Sequence, residues 1–198
     1  MNRRDTIKTI SLSLGCTVAT PTLIGILNSC ENPTNNWKPE FLSLSQVDII
    51  DTLVDIILPK TNTPGGLDLN ITQFIDKMIA NTEEKKDQQL FKKGGLAFKN
   101  TFITVFKKDI SKGTKAEFNA LLDTYFNVSN DKEQDIFKTL QSGIRNVPEK
   151  KTTSFLIYHF LTKIRYYSLF VYFTSQPILE NEFHYNVNLG YYRGCVDL

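Results

Sequence analysis

Asp48, Asp51 and Asp55 recur at i, i+3 and i+7, a spacing that lines three carboxylates along one stripe of a helix. Such a stripe could ligate a hard cation through oxygen or dock a basic partner; the alternative is a solvated charged face. The only histidines are His159 and His184. His159 lies among aromatic residues, where a hydrogen-bonded core imidazole and a proton-transfer role are both open readings, and no nucleophile or second base is fixed beside it by sequence. An enzyme built from this chain alone needs at least two of Asp51, Asp55, His159 and His184 to converge in one cleft. There is no Cys-x-x-Cys-His, no paired Cys-x-x-Cys and no Gly-x-Gly-x-x-Gly after a strand. The residues therefore predict no catalytic, cofactor-binding or metal-binding group within the chain.

Charge and composition narrow the partners. The 198 residues suffice for one domain with a sizeable core, and a 41% hydrophobic share with 12% aromatic residues argues against disorder. The net charge of +2 is owed to the first segment, which holds Arg3, Arg4 and Lys8 against Asp5. Without residues 1–29, basic and acidic side chains balance at 20 each. Nucleic acid is not an expected partner, because it calls for an excess of basic residues on one face.

The first thirty residues read as an address rather than as fold material. A basic start is followed by an apolar run from Ile10 to Leu27, broken by Gly15, Pro21 and Gly25. Asn2-Arg3-Arg4-Asp5-Thr6-Ile7-Lys8 is similar to a twin-arginine export signal, with general secretion as the alternative. Leu27-Asn28-Ser29-Cys30 resembles a lipobox, which would make Cys30 the acylated N-terminus of the mature chain; the alternatives are plain cleavage or an uncleaved anchor. Cys30 and Cys16 fall to this segment, so Cys195 stands alone and no disulfide framework is implied. The predicted organisation is an export signal over 1–29, a tether over 30–40 and a helical domain over 41–198.

Helices must position whatever the domain presents. Ser43-Leu44-Ser45-Gln46 fits a capping box, and Val47, Ile50, Leu53, Val54, Ile57 and Leu58 share one face of the helix it opens. Leu58 to Asp68, with Pro59, Pro64, Gly65 and Gly66, is a corner in which Pro64-Gly65 suits the centre of a type II turn. Asn70 is expected to cap a second helix carrying Phe74, Ile75, Met78 and Ile79. A third, about 87–108, sets Gly94-Gly95 on the same side as Phe91, Phe98 and Phe102, so a close helix approach or a kink is expected there. Thr114-Lys115-Ala116-Glu117 is a second capping box, and 131–144 is a weaker amphipathic helix. From Phe155 to Phe173 apolar groups lie all round the wheel, so that helix must be central or covered by a partner. An aromatic arm, read as extended, begins at Gln176. The fold expected is all-α, one domain of five to six helices.

Several of these stretches together resemble the gluconate 2-dehydrogenase subunit 3 family. They are the twin-arginine-like leader, Ile57-Leu58-Pro59-Lys60-Thr61-Asn62-Thr63-Pro64-Gly65-Gly66, Phe74-Ile75-Asp76, Tyr172-Phe173-Thr174-Ser175-Gln176 and Gly190-Tyr191-Tyr192-Arg193-Gly194-Cys195. Gln176 stands where the family carries an acidic residue. The resemblance implies a non-catalytic small subunit beside a large flavoprotein that holds FAD and oxidises sugars or sugar acids, joined in some complexes by a cytochrome c subunit. It implies a place in the cell envelope, with membrane attachment through lipidated Cys30 or an uncleaved signal, and export of a folded pair on the signal carried by Arg3 and Arg4. The docking candidates are then Thr61, Thr63, Pro64 and Gly65 in the corner, Tyr172, Phe173, Thr174 and Ser175 behind it, and Tyr191 and Tyr192 in the arm. A free-standing, lipid-anchored periplasmic ligand-binding protein is the competing reading. It requires a deep pocket and no exposed apolar patch.

Overall fold

The computed structural model describes residues 37–183, and the chain divides between Lys38 and Pro39. From Pro39 onward the described residues are helical with no strand: α1 (Leu44–Ile57), α2 (Ile71–Asn81), α3 (Lys85–Phe106), α4 (Lys115–Phe126), α5 (Asn130–Ser142), α6 (Glu149–Thr174) and α7 (Gln176–Asn181). Short 3-10 turns at Ile110–Lys112 and Ile144–Asn146 bridge α3 to α4 and α5 to α6. The domain is all-α, as its periodicities require. No helix among the described residues is long and apolar enough to cross a membrane.

The two capping boxes act as read. The Ser43 N–H donates to Gln46 Oε1 at 3.0 Å, and the Thr114 N–H donates to Glu117 Oε2 at 2.7 Å. Asn70 does not cap in this way. It sits in the left-handed region at φ 52° with no side-chain capping bond, and its Oδ1 accepts instead from Gln73 Nε2 at 3.3 Å. Asparagine tolerates that backbone better than most residues.

α6 is the hub. It packs along α3 and also meets α1, α2, α5 and α7. Phe91, Phe98 and Phe102 of α3 are fully enclosed, and Phe160 of α6 stacks into them with ring centroids 4.8 Å from Phe91 and 6.0 Å from Phe98. The close approach expected at Gly94-Gly95 is this crossing. A Cβ on Gly94 would lie 2.4 Å from the Leu156 carbonyl oxygen and 2.7 Å from Phe160 Cβ, so only hydrogen fits between the two backbones.

α6 is not buried all round. Ile157, Phe160, Leu161, Ile164 and Tyr167 face the core, whereas Tyr166, Phe170 and Phe173 remain 61%, 45% and 51% exposed. The arm read as extended begins as α7, with Pro177 in its first turn and Ile178 fully buried, a docked turn rather than an open strand.

Candidate functional site

The corner is held by its own backbone. After α1 ends, the Gly66 N–H donates to the Leu58 carbonyl at 2.8 Å, the Ile71 N–H to the Gly66 carbonyl at 3.2 Å, and the Gly65 N–H to Asp68 Oδ2 at 2.9 Å. Lys60 Nζ closes the loop onto Asp68 Oδ1 at 3.0 Å. The Gly65 N–H, and then Lys60, hold the Asp68 carboxyl below the usual carboxylate range.

The type II turn expected at Pro64-Gly65 is not formed. Gly143 is the one glycine at positive φ among the described residues, so Gly65 is not there for left-handed freedom. It is there for space: a Cβ would stand 2.7 Å from the Lys60 backbone nitrogen, and one on Gly66 would meet Val54 Cγ1 at 2.4 Å. The glycines let the loop fold flat against the end of α1.

Two stretches far apart in sequence meet here. Thr63 Oγ1 and Tyr172 OH lie 3.2 Å apart, joining the corner to the C-terminal end of α6. Thr61 backs this contact, since the Thr63 N–H donates to Thr61 Oγ1 at 3.3 Å. Tyr172 in turn sets the ring of Phe173 edge-on at 5.4 Å and 90°. Thr174 Oγ1 donates to the Phe170 carbonyl at 2.6 Å and Ser175 Oγ to that of Tyr172 at 2.9 Å, so both hydroxyls tie down the end of α6. Of the candidates, Gly65 is buried, Thr63, Pro64, Tyr172 and Ser175 are half-buried, and Thr61, Phe173 and Thr174 face outward. Tyr191, Tyr192, Cys30, Arg3 and Arg4 lie outside the described residues, as does His184.

Beside this contact runs an aromatic face. Phe170 lies 6.1 Å from Phe74 of α2 and 6.3 Å from Tyr166. A groove continues from it between α5 and α6, walled by Phe137, Leu140 and Leu169 and reaching His159. A separate half-open hollow of about 380 Å³ lies between α4, α5 and α6, with Tyr125, Phe155 and Tyr158 among its walls and Lys132 and Lys151 as its cations.

Of the four groups weighed for chemistry, Asp51, Asp55 and His159 sit in separate surroundings, and His184 lies outside the described residues. Thr72 Oγ1 donates to Asp51 Oδ1 at 2.5 Å, and burial, with Asp48 adding to it, outweighs that bond and raises the Asp51 carboxyl. Asp55 is paired with Lys115, tying α1 to α4. The carboxylate stripe thus resolves into separate structural contacts, with only Asp48 fully at the surface. His159 is not the hydrogen-bonded core imidazole that one reading expected: its Nδ1 is buried with no partner, and its ring stacks on Phe155 at 6.3 Å. Burial, and then Lys163, push its pKa down and leave it neutral at pH 7. Among the described residues no group of three His, Cys, Asp or Glu is placed to hold a metal ion.

Two further polar centres went unread in the sequence. Asp76 is fully buried and accepts from the backbone N–H of Glu40 at 2.7 Å, Phe41 at 3.0 Å and Leu42 at 2.8 Å. Its place on the buried helix face shared with Thr72 and Ile79 could be read from spacing, but its partners could not. Near His159, Glu83 accepts from Lys163 and from Tyr167 OH, the latter at 2.5 Å. Burial works against the Glu83 charge, but these two donors hold its carboxyl below the usual range. The Tyr167 phenol is pushed up to about 12, by burial first and by Glu83 second.

A group whose folded pKa is raised contributes stability below its unfolded value and loses it above. Tyr167 should therefore support the fold fully below about pH 10, the ordinary tyrosine value, and less and less as pH climbs to about 12. Denaturation midpoints measured across that window should fall less steeply in Tyr167→Phe than in the parent chain.

No curated protein and no solved structure shows a significant match to the chain. A family model does, over residues 45–190, and its description is gluconate 2-dehydrogenase subunit 3.

Proposed function

We propose a role that proceeds from one premise: the chain belongs to the gluconate 2-dehydrogenase subunit 3 family, whose model covers residues 45–190 of its 198. The family's name makes it a subunit of a multi-subunit dehydrogenase, and the role is that of the accessory partner to a large FAD-binding flavoprotein in the cell envelope. In this reading FAD and the catalytic base reside in the large subunit, and a cytochrome c subunit carries electrons onward in complexes that have one. The small chain covers an apolar surface of the flavoprotein, stabilises it, and lends the leader with Arg3 and Arg4 for joint export of the folded, flavin-loaded pair. Lipidated Cys30 then holds the pair at the membrane.

The observation that carries this reading is the outward row of Tyr166, Phe170 and Phe173 beside the Thr63–Tyr172 contact. Monomers rarely leave such aromatic rows bare, and aromatic anchors dominate protein interfaces. A free-standing ligand binder would bury these rings around a deep pocket instead.

Co-expression with the flavoprotein dehydrogenase of its source tests the reading. The chain should co-elute with flavin absorbance, and Phe170→Asp with Phe173→Asp should abolish co-elution, each anchor contributing about 2 kcal/mol, roughly thirty-fold in affinity. Both rings are about half exposed, so the variant chain itself should stay folded by circular dichroism. A stable monomer with activity of its own and no affinity for the flavoprotein would overturn the proposal. Gly65→Val is a poor probe of docking, because its Cβ would strike the Lys60 backbone and disturb the fold directly. Outward-facing Thr61 and Phe173 are the better substitutions.

A further inference from the structure

We propose that the hollow between α4, α5 and α6 binds a small organic anion, a flat ring bearing a carboxylate, and that this ligand completes the packing of α5. The docking rings Tyr166, Phe170 and Phe173 line the neighbouring groove and not this hollow, so the inference does not depend on the partner reading. α5 is the helix with most to gain. Its Ile136 and Leu140 are only half-buried, none of its residues is fully enclosed, and it packs chiefly on α6. Both side chains line the hollow. A helix in a protein draws most of its stability from burying its apolar face, and a ring seated against Ile136 and Leu140 supplies what that face lacks. The size suits such a ligand. About 380 Å³ falls within the ~300–1,000 Å³ of small-molecule sites, and a cavity of ~150 Å³ already admits a benzene ring.

The aromatic walls are fixed by contacts of their own. The Tyr125 and Tyr158 rings stand edge-on with centroids 5.3 Å apart at 83°. The Tyr158 hydroxyl donates to the Tyr125 carbonyl at 3.0 Å, and Phe155 is buried beside the His159 ring. Walls held this way offer a flat ring apolar surface at little ordering cost. The polar side chains decide the charge. Lys132 and Asp135 of α5 line the hollow together with Lys151 and Ser154 of α6, and none of these four side chains has a hydrogen bond or ion pair among the described residues. The Thr124 and Thr139 hydroxyls, by contrast, already donate to the carbonyls of Leu121 and Asp135. Two ammonium groups against one carboxylate leave the hollow net positive, and the Ser154 hydroxyl adds a further donor. A ring carboxylate answers this set, accepting charge-assisted bonds from lysine while its ring lies against the tyrosines. A cationic ring would meet two like charges.

The test titrates para-hydroxybenzoate into the full chain by calorimetry, with para-hydroxybenzyl alcohol and tyramine as the neutral and cationic versions of the same ring. Para-hydroxybenzoate should bind with a Kd below about 1 mM, and about ten-fold or more tightly than either analogue. Lys132→Gln with Lys151→Gln should weaken it by about ten-fold or more, whereas Lys138→Gln, on α5 but outside the hollow, should change it less than about two-fold. All three lysines are exposed, so these variants should keep the fold. With the probe bound, amide exchange across Asn130–Ser142 should slow by about three-fold or more. Binding weaker than about 1 mM, or an alcohol or tyramine that binds as tightly as the acid, would overturn the proposal. So would an affinity that the lysine pair does not move, or a bound probe that leaves exchange in α5 unchanged.

Discussion

Asp76→Ala should cost the domain about 3–5 kcal/mol, the largest loss expected from any single truncation here. The carboxylate is fully buried, and each of its three acceptor contacts comes from a backbone N–H at 2.7–3.0 Å. Alanine removes the acceptor and leaves the N–H groups of Glu40, Phe41 and Leu42 without a partner at the point where the chain enters the core. An unsatisfied buried donor costs about 1–3 kcal/mol. Asn divides the effect, since its one oxygen can serve Phe41 and Leu42 while its amide confronts the Glu40 N–H. Urea unfolding should therefore rank parent, Asn and Ala in that order. Hydrogen exchange should show the loss of protection concentrated at residues 40–42. Equal stability of Asp76→Ala and the parent would mean the three contacts carry no net energy.

Gly94→Ala is the second large effect, and its sign runs against intrinsic propensity. At an exposed helical site the change would gain about 1 kcal/mol. Here the new methyl meets a backbone oxygen of α6 at 2.4 Å, which no side-chain rotation relieves. The two helices must separate along the most extensive contact in the domain. Overpacking of this kind costs about 1–3 kcal/mol, so a net loss of about 2 kcal/mol is expected in the denaturation midpoint. Gly95→Ala supplies the comparison. Its Cβ would meet the ring edge of Phe160 at 3.2 Å and Gln46 Nε2 at 3.5 Å, side-chain contacts that a shift of a few tenths of an ångström relieves, and the variant should stay within about 1 kcal/mol of the parent. Equal behaviour of the two alanines would show that the crossing is looser than its geometry.

Much of the architecture could be read before any coordinates. The capping boxes at Ser43 and Thr114, the aromatic side of α3 and the purpose of Gly94-Gly95 come from local rules of spacing and chemistry. The corner was legible as a corner but not in its form. Pro64-Gly65 fits a type II turn and also a flat loop pressed on Lys60, and only the packing of Val54 and Lys60 decides between them. Asp76 and the Glu83–Lys163–Tyr167 cluster were hidden for another reason. Their partners are 34–36 and 80–84 residues away, so no local pattern announces the pairing. The meeting of Thr63 with Tyr172, 109 residues on, is of the same kind. Each stretch was singled out separately, and only the fold joins them.

The position of α6 also sets an order of events during synthesis. The helix that most of the others lean on occupies residues 149–174. Until it leaves the ribosome, Phe91 and Phe98 lack the Phe160 ring that closes over them, and α1 to α3 can hold only a partial, sticky core. Closure is then a late step that brings together residues about as far apart as Gly94 and Leu156, the kind of contact that slows folding and lengthens the exposure of apolar surface. A nascent chain of this design keeps apolar surface exposed until α6 has been made.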